Sequence, residues 1–479
     1  MLGKVAFPAS LKNEVDYSLP ASVTGTSIKV APSNVQQVQS SIQTVTPSSN
    51  VSLLGNSQNV IFDLPAGMSK GTFLDPRYTL LNFRCNFKVE TGSSAAVVTS
   101  AVLRSCAAAY FDRMFIQSQS GVVLEDMNLY GVIQDELNAL EIACADRDAL
   151  SLMYGFQPEA AGASSQNNVQ GHTIAGWDGA TLSAGSTYYS YSIPILSSLL
   201  GRGASKMLQI GATNRLQLIL QTAAVLPVTL VAGTATTAAS VSVTMDNISL
   251  SLQYIDIGAE GVKMLEKTGL QYYSGITYRA STGTLPAATS GAVSLLTGIR
   301  GSSVRSIFTR ACESAALTTA GCINYVYDSK MPQATSIQYN INGAMVPPNP
   351  VDLLHAPATA FAFLQEANAA FNTYEFKSGL TPDRYCVYVP GGTLPTDADK
   401  RITSSVSSVY NQAQWSFGYN LERVSKAGIL DGVNCNAANV YLNMVLAGTN
   451  TAALTVIFIA KMDAIYILDT VSGEISVRS

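Results

Sequence analysis

The sequence predicts an all-β chain of two tandem β-sandwiches, each of about 200 residues with one short inserted helix. Three observations predict it. Beyond residue 50, apolar residues alternate with polar ones along most of the chain, the pattern of half-buried strands. Helical spacing is confined to two stretches. Segments of the first half also return in the same order in the second. SIQYNINGAMVPPNP echoes FIQSQSGVVLEDMN, with Ile337 lying 221 residues after Ile116; NVYLNMVL echoes NRLQLIL, with Asn439 225 after Asn214; DAIYIL echoes DNISLSL, with Asp463 217 after Asp246. Three matches at nearly constant offset are what a duplicated unit leaves once loops have diverged.

In chain order, residues 1–50 are rich in Ser, Val, Thr, Gln and Asn without a sustained period, and read as an extended N-terminal arm. The first sandwich is then expected over 51–260, and the second, with a C-terminal tail, over 261–479. Arm and tail hold too little apolar surface to form a core and are expected to make contacts outside their own sandwich. LNFRCNFKV places Leu81, Phe83, Cys85, Phe87 and Val89 on one face of a strand. FIQSQSGVVLEDMN predicts a hairpin turning at Gly121, and the following NLYGVIQDELNALEIACADRDALSLM has helical spacing. RLQLILQ is a strand with Leu216, Leu218 and Leu220 inward. In SVSVTMDNISLSLQY the apolar phase flips at Asp246-Asn247, so a bulge or tight turn belongs there. The second half repeats the plan. A hairpin turns at Asn342-Gly343, a helix is expected in APATAFAFLQEANAAFN, and strands follow in QWSFGYNL and VYLNMVL. Weakly periodic stretches rich in Gly, Ser and Thr at about 155–190 and 380–410 read as exposed loops.

Bulk properties exclude several functions. Charged residues are 13% of the 479, against about 25% in a typical soluble domain, so the surface is polar through Ser, Thr, Asn and Gln or is covered by neighbours. A net charge of −4, from 28 basic and 32 acidic residues, gives no general field for nucleic acid. The N-terminus lacks the apolar core of a secretory signal, and the most apolar stretch, LILQTAAVLPVTLVAG, is broken by proline and polar residues; a soluble chain made in the cytosol is expected. The seven cysteines, Cys85, Cys106, Cys144, Cys312, Cys322, Cys386 and Cys435, include no CxxC pair and read as buried, reduced side chains.

Candidate sites for chemistry are sparse. GRGASK at 201–206 looks at first like a phosphate loop, but Lys206 follows Ser205, and neither the P-loop ending nor GxGxxG spacing is present. A backbone turn at Gly201 and Gly203 is the better reading, with Pro194 and Leu196 to Leu200 packed inside and Arg202 and Lys206 facing solvent or a neighbouring subunit. The two histidines, His172 and His355, have no ligand-spaced partners. Cys312 and Cys322 lack a placed histidine that would make either a nucleophile, and no GxSxG elbow occurs. Glu136, Glu141, Asp146 and Asp148 lie on or beside the first helix and read as a solvated face rather than a cation site. Carboxylate pairs suited to glycoside hydrolysis are easy to find in any chain of this size, and none is singled out. No catalytic, cofactor-binding or metal-ligating residue is therefore assigned, no cofactor is expected, and the chain is not read as an enzyme.

Three stretches carry a resemblance. YSIPILSSLLGRGASKMLQIGATNRLQLIL, AAAYFDRMFIQSQSGVVLEDMNLYGVIQDEL and MDAIYILDTVSGEISVRS resemble segments of the double jelly-roll major capsid proteins of small double-stranded DNA viruses, in particular polinton-like viruses, adintoviruses and virophages. The likeness spans nearly the whole chain as a pattern of apolar and turn positions; where the family often has Pro-Leu, this chain has Gln209-Ile210. It implies two eight-stranded jelly rolls and a homotrimer forming a pseudo-hexameric capsomer. It also implies an icosahedral shell in the virion around a double-stranded DNA genome, with neighbouring capsomers, penton and minor or cement proteins as partners. No specific nucleic-acid binding is implied, and an inner membrane is left open. The competing class is a β-rich surface, fibre or adhesin-type structural protein. The absent secretion signal argues against surface proteins, and a helix in each half argues against a fibre.

Overall fold

Alternation at period two turns into two pairs of facing sheets with the same strand order in each half of the chain. A computed structural model describes residues 39–48, 57–65, 68–90, 98–103, 105–142, 144–156, 173–174, 187–232, 240–258, 269–314, 327, 329, 332, 334–353, 356–368, 380, 415–422, 432–446, 448–449 and 453–478. In the first half, one antiparallel sheet runs Gln39–Val45, Ser240–Asp256, Thr72–Glu90, Thr187–Pro194, and the other Asn59–Asp63, Leu216–Thr222, Phe111–Ser118, Val123–Asn128. In the second half the corresponding sheets run Leu270–Leu285, Leu454–Asp469, Val304–Glu313, Phe417–Asn420 and Gly291–Leu296, Val440–Leu446, Ala334–Ile341, Ala344–Asp352. Counting the eight principal strands of each half in chain order, both halves read 1-8-3-6 and 2-7-4-5. That interleaved order is the jelly roll. A small sheet of Val228–Ala232, Val98–Leu103 and Thr173–Ile174 is added to the first half, and Ile475–Arg478 pairs with Leu454–Asp469 in the second.

The expected inward residues are inward. Leu81, Phe83, Cys85 and Phe87 are buried, as are Leu216, Leu218, Leu220, Leu250, Leu252, Val440, Leu442 and Met444. The phase flip is a bulge: pairing with the strand Thr72–Glu90 shifts between Asp246 and Ser249, and Asn247 has φ 50°. Asn342 and Gly343, with φ 51° and 89°, make a hairpin turn with both central residues left-handed. Buried apolar residues of both halves join in one continuous cluster.

Three expectations need correction. Gln39–Val45 is not arm but the edge strand of the first sandwich, registered antiparallel on Leu250–Asp256. Its Gln- and Ser-rich side chains are almost all exposed, so backbone pairing alone defines it and no periodic signal betrays it. The first helical stretch is two helices, α1 (Tyr130–Glu141) and α2 (Cys144–Tyr154), because Ile142 turns extended after α1. And α1 is not amphipathic in place: Tyr130 to Leu140 are all buried. A third helix, α3 (Pro357–Ala367), starts with proline in its first turn. Both α1 and α3 follow the fifth strand of their sandwich. Residues 1–38, most of the two expected exposed loops, both histidines, Cys322 and Cys386 lie outside the described residues.

The duplication extends to side chains. Arg84 grips Asp246 with two parallel bonds of 2.6 and 2.7 Å, and at the equivalent place in the second sandwich Arg305 Nε donates to Asp463 at 2.6 Å. The first pair is half exposed; in the second, Asp463 is 7% exposed, because that position faces the other sandwich.

Candidate functional site

The polar chemistry of the molecule is concentrated where the two sandwiches meet. Strand Val123–Asn128 of the first packs on Leu270–Leu285 of the second, and the segment from Ile195 to Ile210 fills the seam. Glu125 is 4% exposed and has no cation among its partners. Its carboxylate accepts hydrogen bonds from Ser197 Oγ and Ser198 Oγ, both at 2.6 Å, from the Ser198 N–H at 3.0 Å, and from Thr277 Oγ1 of the second sandwich at 2.9 Å. Ser198 also shares a hydrogen bond with Tyr466 OH. Burial pushes the Glu125 carboxyl above its ordinary value, and the hydroxyl and amide donors oppose that rise.

A second buried cluster ties α1 to the other half. Arg310 Nη1 donates to Asp135 Oδ2 at 2.8 Å and Glu136 Oε2 at 3.3 Å, Nη2 reaches the Tyr327 carbonyl, and Ser105 Oγ donates to Asp135 Oδ1 at 2.6 Å. Arg310, Asp135 and Glu136 are all at most 7% exposed. Desolvation raises both carboxyls, and the guanidinium pulls them back. Such a cluster adds little net stability over an apolar packing, but it fixes one relative placement of its parts.

The seam also answers what GRGASK does. The backbone N–H groups of Arg202, Gly203, Ala204 and Ser205 are all spent, on the carbonyls of Ile195, Ser197, Gly201 and Ser274. None is left to cradle a phosphate. The glycines serve close approach rather than a left-handed turn. A Cβ on Gly201 would lie 2.1 Å from the Ile195 carbonyl oxygen, and one on Gly203 would lie 2.6 Å from that of Ile276 in the second sandwich. Leu196, Leu199 and Leu200 are buried as expected. Arg202 departs from the expectation: it turns toward Glu141, 3.6 Å away, and lines a cavity between the sandwiches.

Of the carboxylates read as a solvated face, Glu141 and Asp146 are exposed, whereas Glu136 is buried on Arg310, and they do not converge. Cys85, Cys106, Cys312 and Cys435 are buried thiols in no disulfide, and burial raises the Cys106 thiol to about 11. Among the described residues no group of three His, Cys, Asp or Glu side chains is placed to hold a metal, and no helix is long and apolar enough to cross a membrane. Glu125, Asp135, Arg310 and Lys461 were not foreseen. Arg310 had a signal, since an arginine inside the otherwise uncharged run SIFTRAC sits on a strand buried on both faces.

No protein-family model and no curated protein matches the chain. Solved structures do. A chain of the Sputnik virophage aligns with a TM-score of 0.57 at 13% identity, covering 94% of this chain and 90% of that one. The PBCV-1 virus capsid gives 0.53 at 11%, covering 94% and 99%. The mavirus major capsid protein gives 0.50 at 11%, covering 100% and 95%. The fold is the double jelly roll that viral major capsid proteins build.

Proposed function

We propose that this chain is a viral major capsid protein. Three copies would give six jelly rolls in a capsomer of pseudo-hexagonal outline, and capsomers would tile an icosahedral shell around a double-stranded DNA genome. The observation that carries the reading is the pairing of two sandwiches of identical strand order, held in one fixed placement by the Arg310 and Glu125 clusters. A threefold ring needs six equivalent-looking walls, and a duplicated rigid unit supplies two per copy. The outward sheet of the second sandwich supports it. Strands Gly291–Leu296, Ala334–Ile341 and Val440–Leu446 contain no charged residue, the fourth, Ala344–Asp352, has only Asp352 at its end, and Leu296, Met345 and Val445 stand 51%, 45% and 44% exposed. The equivalent face of the first sandwich is laced by Arg113–Asp126, Arg215–Asp63 and Gln117–Gln217. A head-to-tail contact in a ring joins two different surfaces, and an uncharged face suits the core of such a contact.

In this reading the role is structural rather than enzymatic, and penton, cement and neighbouring capsomers are the partners. The test is the mass and outline of the expressed protein: trimers of the 50.5 kDa chain with six-sided projections in electron micrographs support it, and monomers or fibres overturn it.

A further inference from the structure

Between the sandwiches lies an open cavity of about 520 Å³, lined by Glu141, Arg202, Ser205, Ser274, Lys461 and Asp463, among others. That volume is in the range of small-ligand sites, about 300–1,000 Å³. Its charges balance in number, Arg202, Arg305 and Lys461 against Glu141, Asp463 and Glu422, but they are unevenly paired. Arg305, also on the wall, is spent on Asp463 at 2.6 Å and on Glu422 at 3.2 Å. Asp463 is filled further by Ser303 Oγ at 2.6 Å. That leaves Arg202 and Lys461 against the single carboxylate of Glu141. Arg202 Nη2 is closed off from solvent and makes no hydrogen bond; Glu141 Oε2, at 3.6 Å, is beyond bonding distance. Lys461 makes no side-chain hydrogen bond or ion pair with any described residue, and burial lowers its pKa even with Glu141, Glu422 and Asp463 nearby. Two cations from different sandwiches thus face one cavity, Arg202 with a buried N–H group that makes no hydrogen bond and Lys461 outside any ion pair with the described residues.

A buried donor left unsatisfied, as Arg202 Nη2 is, is costly and calls for an acceptor oxygen. The backbone N–H groups of residues 202–205 are already used, so side chains supply the donors for whatever binds. We infer that this cavity binds a small oxyanion, of the phosphate or phosphate-monoester class, held by Lys461 and Arg202 with the Ser274 hydroxyl beside it, the Ser205 hydroxyl being spent on the Ser274 carbonyl. Because Arg202 belongs to the first sandwich and Lys461 to the second, the ligand would bridge them and strengthen the seam. This inference stands apart from the capsid reading, since it concerns a site within one chain.

The full-length protein is titrated with sodium phosphate against sodium chloride at matched ionic strength, reading the unfolding midpoint and 31P line width. Wild type is expected to show a saturable rise in midpoint and 31P broadening, with K461M and R202Q each binding about tenfold or more weakly. A wild-type protein with no saturable response beyond the chloride control overturns the inference whatever the variants do. Equal responses from wild type and K461M also overturn it, because the anion then acts elsewhere. Trimer mass, read on the same samples, tests the capsid proposal separately.

Discussion

Removing the guanidinium of Arg310 tests whether the two sandwiches are locked by charge. In R310M, Asp135 and Glu136, adjacent on a buried helix and at most 7% exposed, lose the cation that three of the four polar contacts of the cluster depend on. The Ser105 hydroxyl bond to Asp135 remains. Solvent screening is slight at this depth, so the loss is that of a broken buried ion pair, about 3–5 kcal/mol. Part of it is recovered by protonation, since each carboxyl already titrates above its ordinary value and would rise further. The assay is denaturant unfolding of R310M, of D135N/E136Q and of the combined variant. R310M should fall by about 3 kcal/mol or more at neutral pH and lose less near pH 5, and the combined variant should regain most of the deficit, because no buried charge is then unpaired. A loss below about 1 kcal/mol, or no rescue in the combined variant, refutes the reasoning.

Three further outcomes are expected. Burial raises the Glu125 carboxyl, so between its ordinary value and its raised one the folded chain holds more protons than the unfolded chain, and stability falls as pH rises through that window. E125Q keeps the serine and threonine partners and should flatten the decline in unfolding midpoint that sets in above the ordinary glutamate value of about 4.3; an unchanged slope would show that Glu125 does not titrate there. G203A places a methyl group 2.6 Å from the Ile276 carbonyl oxygen and 3.0 Å from that of Ser197, both backbone atoms, and should cost about 1–3 kcal/mol by pushing the sandwiches apart; an unaltered midpoint would contradict the close-approach role. Deleting residues 1–25 should leave a folded trimer while impairing shell assembly, seen as intact capsomers without particles in negative stain; normal particles would remove any assembly role for that segment.

The fold was legible because its signals are local. Period two marks the strands at Leu81 to Phe87 and Leu216 to Leu220, the phase flip marks the bulge at Asp246-Asn247, and the Asn342-Gly343 pair marks a hairpin. Repeated segments gave the two units, and the matched Asp246 and Asp463 prove to be equivalent halves of the same ion pair in each. The seam was not legible, because it depends on which faces meet. Glu136 on an amphipathic-looking helix is indistinguishable in sequence from a solvated carboxylate until Arg310, 174 residues away, is brought against it. Glu125 sits among Val123, Leu124, Asp126 and Met127, where nothing in the spacing says that Thr277 of the other sandwich will cover it. Gln39–Val45 was missed for the opposite reason: its side chains bury almost nothing, and only the partner strand defines it.

Single-particle electron microscopy of the purified full-length chain addresses the central claim most directly. Class averages should show particles of three chains with six lobes around a threefold axis, one lobe for each sandwich. Particles holding one chain, or rod-like assemblies without threefold symmetry, would contradict it.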